Sequence, residues 1–197
     1  MSVPPLKGDG QGNYRISIVG NSGMPRSTLG KQLAAVLRVP FVPLDRLFWC
    51  PGWQKTSTVE FRAKVVDALG QSPGWVVDGN YTKRIGPMIA DSATDIIWLD
   101  PPFLLYFPRL CWRTFLRLCG LCEDCSPGCE ESFRGIFSRE SIVWWCITNH
   151  NAARKHEGER LRTEGIHVGG KMRRIGGWGD ELVTWQTEVD RLCMVQR

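Results

Sequence analysis

Two segments of this chain, Trp75-Val76-Val77-Asp78 and Asp95-Ile96-Ile97-Trp98-Leu99-Asp100, are apolar without alternation and end on a carboxylate. A strand with one face in water alternates apolar and polar residues, so unbroken short runs belong to strands buried on both faces, as in a parallel sheet covered by helices. Tyr14-Arg15-Ile16-Ser17-Ile18-Val19 and Phe41-Val42-Pro43-Leu44 add two β-favouring runs, and Met172 to Ile175 a fifth, weaker one. Between them apolar residues recur at helical spacing. Leu29, Leu33, Val36 and Leu37 mark one helix, closed by Val39-Pro40, and Thr58 to Leu69 a second, capped by Ser57 or Thr58. Phe103 to Leu118 is mostly helical in pattern, and Ser138 to Arg162 is read as a helix with Trp144 and Trp145 inward. Asp180 to Met194 carries Leu182, Trp185, Val189 and Leu192 on one face. Strands alternating with helices predict an α/β architecture, because right-handed crossovers place helices on the sheet faces.

At 197 residues the chain suits one globular domain with a local insertion. Residues 1–13 are polar and rich in Pro and Gly, and read as a disordered lead to a single domain over 14–197. Charged residues make up 23% and hydrophobic ones 43%, which excludes a disordered chain. The net charge of +5 suits an anionic ligand without requiring one. The basic residues from Arg154 onward are interrupted by Glu157, Glu159, Glu164 and Asp180, unlike a nucleic-acid arm, so no nucleic-acid partner is expected. No apolar run nears the roughly 18 residues of a membrane span. Met1 to Asn13 lacks an apolar signal segment, so a soluble, cytoplasmic protein with reduced thiols is expected.

Gly20-Asn21-Ser22-Gly23-Met24-Pro25-Arg26-Ser27-Thr28 stands between the first strand and first helix, where a phosphate loop of the form G-x-x-x-x-G-K-[ST] would lie. Such a loop aims successive backbone N–H groups and a helix N-terminus at one phosphate, while a cation and a hydroxyl neutralise charge and hold magnesium. Here the glycine before the lysine is Pro25 and the lysine is Arg26. Proline removes a donor and fixes φ, and a planar, bidentate guanidinium is no neutral exchange for an ammonium. Ser27 and Thr28 still offer hydroxyls, with Ser27 the expected magnesium ligand. A Gly/Ser turn is also simply a good helix start, and both readings stand on the loop alone.

With this loop, Val42-Pro43-Leu44-Asp45-Arg46-Leu47-Phe48-Trp49 followed by Pro51-Gly52-Trp53, and Trp75-Val76-Val77-Asp78-Gly79-Asn80-Tyr81, the chain resembles adenylate-kinase-like P-loop proteins. Within these it is most similar to the group labelled DNA topology modulation proteins, over about residues 15 to 155. The resemblance implies a three-layer P-loop NTPase fold with a parallel five-stranded sheet in the order 2-3-1-4-5, ATP at the first loop and a mobile lid over about 119–140. It implies phosphate and magnesium contacts from Gly20, Gly23, Arg26, Ser27 and Thr28, with Asn21, Ser22, Met24 and Pro25 completing the nucleotide-binding loop. Asp45 and Asp78, at strand C-terminal ends, would orient an acceptor hydroxyl or a metal-bound water, or else cap helices and turns. Asn80, Tyr81 and Arg84 would line the acceptor pocket. Arg134, Arg139 and Arg113 are the lid arginines expected to close over the transferring phosphoryl group. Trp178, in Gly176-Gly177-Trp178-Gly179, would stack on adenine or pack against the last helix.

Cys119-x2-Cys122-x2-Cys125-x3-Cys129 admits a structural Zn2+ site, an iron–sulfur run lacking its usual proline, or unligated thiols. His150, His156 and His167 form no metal-ligand spacing. The expected function is ATP-dependent phosphoryl transfer, of the nucleoside-monophosphate-kinase type, to a small acceptor. The alternative is a nucleotide-binding pseudoenzyme or interaction protein, favoured by Pro25 and Arg26.

Overall fold

The computed structural model describes residues 4–132, 135, 138 and 141–195. Five strands, β1 (Arg15–Val19), β2 (Phe41–Pro43), β5 (Trp75–Asp78), β6 (Asp95–Leu99) and β7 (Met172–Ile175), form one sheet in the order β2-β5-β1-β6-β7. Every pairing is parallel. Numbered among themselves these strands run 2-3-1-4-5, the expected order, and helices flank both faces. The two-residue strands β3 (Trp49–Cys50) and β4 (Gln54–Lys55) make a separate antiparallel hairpin.

The two-residue period of each strand sorts the core into two layers. Ile16, Ile18, Val76, Ile97 and Leu99 face helix α1 (Arg26–Leu37), helix α6 (Phe103–Leu118) and helix α8 (Asp180–Val195). Val19, Val77, Ile96 and Trp98 face helix α3 (Thr58–Gly70) and the short helices α4 (Thr82–Ile85) and α5 (Met88–Ser92). Ser57 caps α3 by accepting from Glu60 N–H at 3.2 Å.

Two expectations are corrected. Residues 4–13 are a strap rather than a loose lead. Leu6 is 2% exposed within the core, the Asp95 carboxylate accepts the N–H groups of Lys7 and Gly8, and Trp185 Nε1 donates to Pro5 O at 3.0 Å. These partners lie far along the chain, where local composition cannot reveal them. The long helix α7 (Ile142–Glu164) starts after Ser141, whose hydroxyl accepts Trp144 N–H. Its Trp144 and Trp145 are 49% and 44% exposed. The inward positions are Cys146, against the phosphate loop, and Glu157, so the helix is turned with its tryptophans towards solvent.

Candidate functional site

The segment from Gly20 to Pro25 joins β1 to α1 and is backed by α6. Both its glycines are required by space and backbone. At Gly23 (φ 91°) a Cβ would meet Leu110 Cβ at 2.8 Å, and at Gly20 (φ 152°) it would meet Met24 Sδ at 2.7 Å and Leu99 O at 2.8 Å. Asn21, expected to face phosphate, is buried in the opposite direction. Its amide donates to Tyr106 Oη at 3.0 Å and Cys146 O at 3.2 Å, while its Oδ1 accepts Ser22 N–H. Asn21 is therefore a staple that fixes the loop to α6 and α7. The Met24 side chain is likewise core, packed with Leu29 and Leu110.

Pro25 supplies no N–H, and its φ of −76° and ψ of 39° close a tight turn in which Arg26 N–H donates to Met24 O at 2.8 Å. Two donors of an unmodified phosphate loop are thus lost. The N–H groups of Gly23, Met24, Ser27 and Thr28 have no hydrogen bond among the described residues, and Ser27 and Thr28 are exposed at the first turn of α1. The helix end keeps its partial positive charge there, with no acidic residue in the first turn.

Arg26 turns back onto the sheet. Its guanidinium, 13% exposed, sits with Nε 3.3 Å from Asp78 Oδ1 at the end of β5. Ser27 Oγ donates to Asp78 Oδ2 at 2.5 Å. Burial, the largest influence on Arg26, pulls its pKa down, but Asp78 and then Asp45 outweigh it and hold the group firmly charged. Asp78 Oδ1 is buried and accepts no aligned hydrogen bond, so the pair is close but imperfect. The Ser27 hydroxyl gives its proton to Asp78 and keeps its oxygen lone pairs, while the carboxylate's charge is met by Arg26. A guanidinium 3.3 Å from the one carboxylate beside Ser27 repels a divalent cation there, and Mg2+ also demands strict octahedral oxygen geometry, so on charge the arrangement does not fit it.

Asp45 follows β2 in helix α2 (Leu44–Phe48) and accepts the Tyr81 hydroxyl at 2.6 Å. Burial, then Asp45, push the Tyr81 phenol far up, so it stays a donor. Cys125 lies 3.8 Å from the other Asp45 oxygen, its thiol raised to about 11 by burial and by Asp45. Arg113, on α6, completes the cluster. Its Nε is buried without a hydrogen-bond partner among the described residues, and burial, then Arg117, lower its pKa. The structure thus brings together Arg26, Ser27, Asp45, Asp78, Tyr81 and Arg113.

Other expected residues lie elsewhere. Asn80 gives its amide to the buried Glu157 at 3.1 Å, which Arg160 also holds, so it faces away from the Asp45 cluster. Arg84 is exposed and lies over the Phe48 ring. Trp178 is 65% exposed, so most of its side chain faces solvent. Arg134 and Arg139 lie outside the described residues. The preceding part of the expected lid is tied to the β3–β4 hairpin: Ser126 Oγ donates to Trp49 O, Gly52 N–H to Gly128 O, and Trp53 Nε1 to Glu130 O. The zinc expectation is not met by geometry. Cys119 and Cys122 are exposed, Cys125 meets Asp45, Cys129 is buried with its thiol directed at Cys50 O, and no three metal-ligating side chains converge among the described residues.

The sequence reading missed Tyr106. Its hydroxyl accepts from Asn21 and shares a hydrogen bond with His150 Nδ1 at 2.6 Å, linking the loop to α7; burial raises it to about 12. Its place in an apolar helical run reads as plain core. A groove of about 260 Å³ lined by Arg173, Arg174, Glu181, Thr184, Trp185 and Glu188 lies on the β7–α8 side.

No family model matches the chain, and no curated protein matches its sequence. Among solved structures it is similar to a gluconokinase from Sinorhizobium meliloti 1021, at 16% identity and a TM-score of 0.52, over 93% of this chain and 97% of that one. A shikimate kinase from Bacteroides thetaiotaomicron is similar at 15% identity, with a TM-score of 0.48, over 93% and 98% of the two chains. The chain has the P-loop kinase fold. No helix among the described residues is long and apolar enough to cross a membrane.

Proposed function

We propose that this chain is an ATP-dependent phosphotransferase acting on a small acceptor, of the nucleoside-monophosphate-kinase type. The observation that carries the reading is the set of unpaired N–H groups of Gly23, Met24, Ser27 and Thr28, gathered at the start of α1 beside the Arg26 guanidinium. Free donors at a helix N-terminus, with a fixed cation alongside, make an anion cradle. Asp45 is the group suited to orient an acceptor hydroxyl: it lies at the carboxyl end of a sheet strand and is held in place by Tyr81. Arg113 supplies a cation with no carboxylate in hydrogen-bond contact among the described residues, available to the charge that grows on the phosphoryl group. Arg134 and Arg139 remain the proposed lid arginines, and Trp178 the proposed adenine platform. The cytoplasm is the proposed location.

A second reading, nucleotide binding without turnover, is favoured by one observation: Pro25 and the Arg26-to-Met24 turn remove two donors from the cradle. Calorimetry with ATP, paired with ADP release across nucleoside monophosphates, separates the two. Saturable binding with acceptor-dependent ADP release is expected for the kinase, and binding without release for the second reading. Absence of both defeats each. The Pro25→Gly plus Arg26→Lys variant is expected to raise turnover by about tenfold or more, and an unchanged rate would remove the loop as the source of any defect.

A further inference from the structure

Three features meet at Asp78. Its Oδ2 accepts the Ser27 hydroxyl, its Oδ1 faces the Arg26 guanidinium at 3.3 Å, and the side chain is almost wholly buried. A buried carboxylate needs a counter-charge, because an unpaired one costs several kcal/mol in desolvation. In this chain the counter-charge is covalently attached to the phosphate loop itself. Arg26 is reached in sequence immediately after Pro25, whose ring fixes φ, and its own N–H is tied to Met24 O, so the start of its side chain is directed by a closed turn.

We propose that the Arg26 guanidinium takes the place of the divalent cation at this site, so that nucleotide phosphates bind without magnesium. The inference rests on the reading of the loop as a nucleotide cradle and names the cation that reading uses. A guanidinium cannot lose its proton at any ordinary pH, presents several N–H donors in one plane, and matches phosphate oxygens two at a time. With Nε towards Asp78, its terminal nitrogens form no ion pair or hydrogen bond with any other described residue. Asp45 also reinforces its charge. A metal added to the same carboxylate would have to approach a cation already in place, and Coulomb repulsion opposes that.

The test is calorimetric titration of ATP into the full chain, once with excess EDTA and once with excess magnesium. The expected dissociation constants agree within about threefold, a difference below 1 kcal/mol. The Arg26→Met variant is expected to lose about tenfold or more in EDTA and to regain most of that loss when magnesium is present, because Asp78 then has no cation beside it and can receive the metal. Arg26→Met together with Asp78→Asn removes both charges, guards against a variant that simply fails to fold, and is expected to bind weakly with no response to magnesium. Wild-type binding that appears only with magnesium overturns this inference and leaves the nucleotide cradle standing. Absence of ATP binding in both titrations, with the chain folded by circular dichroism, overturns the cradle and the inference together.

Discussion

Asp78 and Asp100 occupy matching places, at the C-terminal ends of the adjacent-to-centre strands β5 and β6, and both are buried against arginine. Asp100 is held by two: Arg154 Nε lies 2.8 Å from Oδ1 and Arg174 Nη2 2.8 Å from Oδ2, with further bonds from Arg154 Nη2 at 3.0 Å and Arg174 Nε at 2.9 Å. Asp78 meets one arginine, at 3.3 Å. In both residues Oδ1 accepts no well-aligned hydrogen bond, so the contrast lies in the number and closeness of the cations. The clamps on Asp100 come from α7 and β7 and join the end of β6 to its neighbours. The cation on Asp78 comes from the loop between β1 and α1, and its terminal nitrogens meet no other residue among those described. One pair is a structural clasp; the other is, on the function proposed above, a half-filled site.

The comparison is sharpest in stability. Replacing both Arg154 and Arg174 by Met leaves Asp100 buried without a counter-charge, and a loss of about 3 kcal/mol or more is expected in urea unfolding. Asp78→Asn keeps the Ser27 contact and removes a looser pair, so a smaller loss of about 2 kcal/mol is expected in the same assay. Equal losses would break the distinction between clasp and site. The smallest effect is a titration. His150 has its pKa lowered by burial first and then by Arg154, with Asp100 acting the other way. It is therefore neutral in the fold where the unfolded chain would protonate, and stability falls as the pH drops through 6.5, its ordinary value. In Arg154→Met the His150 signal followed by NMR is expected to titrate at higher pH than in the wild type; a downward shift would mean that Arg154 acts on His150 mainly by steadying it.

What could be read from the sequence was local. The unbroken apolar runs at Trp75 and Asp95, the Gly20-to-Thr28 loop and the Ser57 cap each express a rule contained in a few consecutive residues, and each stands where expected. The strand order came from resemblance, since no local rule orders strands. The rest depended on pairings across the chain. A polar Asn21 inside a Gly/Ser loop looks the same whether it holds phosphate or Tyr106, and only the position of α6 decides. Asp78 is 51 residues from Ser27, so nothing local announced that Arg26 and Ser27 would both turn to it. The cysteine spacing suggested a shared ligand, yet the chain carries Cys129 under Cys50 and leaves Cys119 and Cys122 exposed. Trp144 and Trp145 were expected inward, and the inward position in that turn is taken by the smaller Cys146.

The strap at the start of the chain has a consequence for how the molecule is made. Pro5 is bonded to Trp185 across a separation of 180 residues, Arg173 reaches Pro4 O, and β7 completes the sheet edge only at Met172. During synthesis the ribosome delivers the loop, its first helix and four sheet strands long before these closing partners emerge. A nascent chain must therefore wait with Leu6 and the outer side of β6 uncovered, so final closure is a slow, late event and the interval before it is when aggregation threatens most.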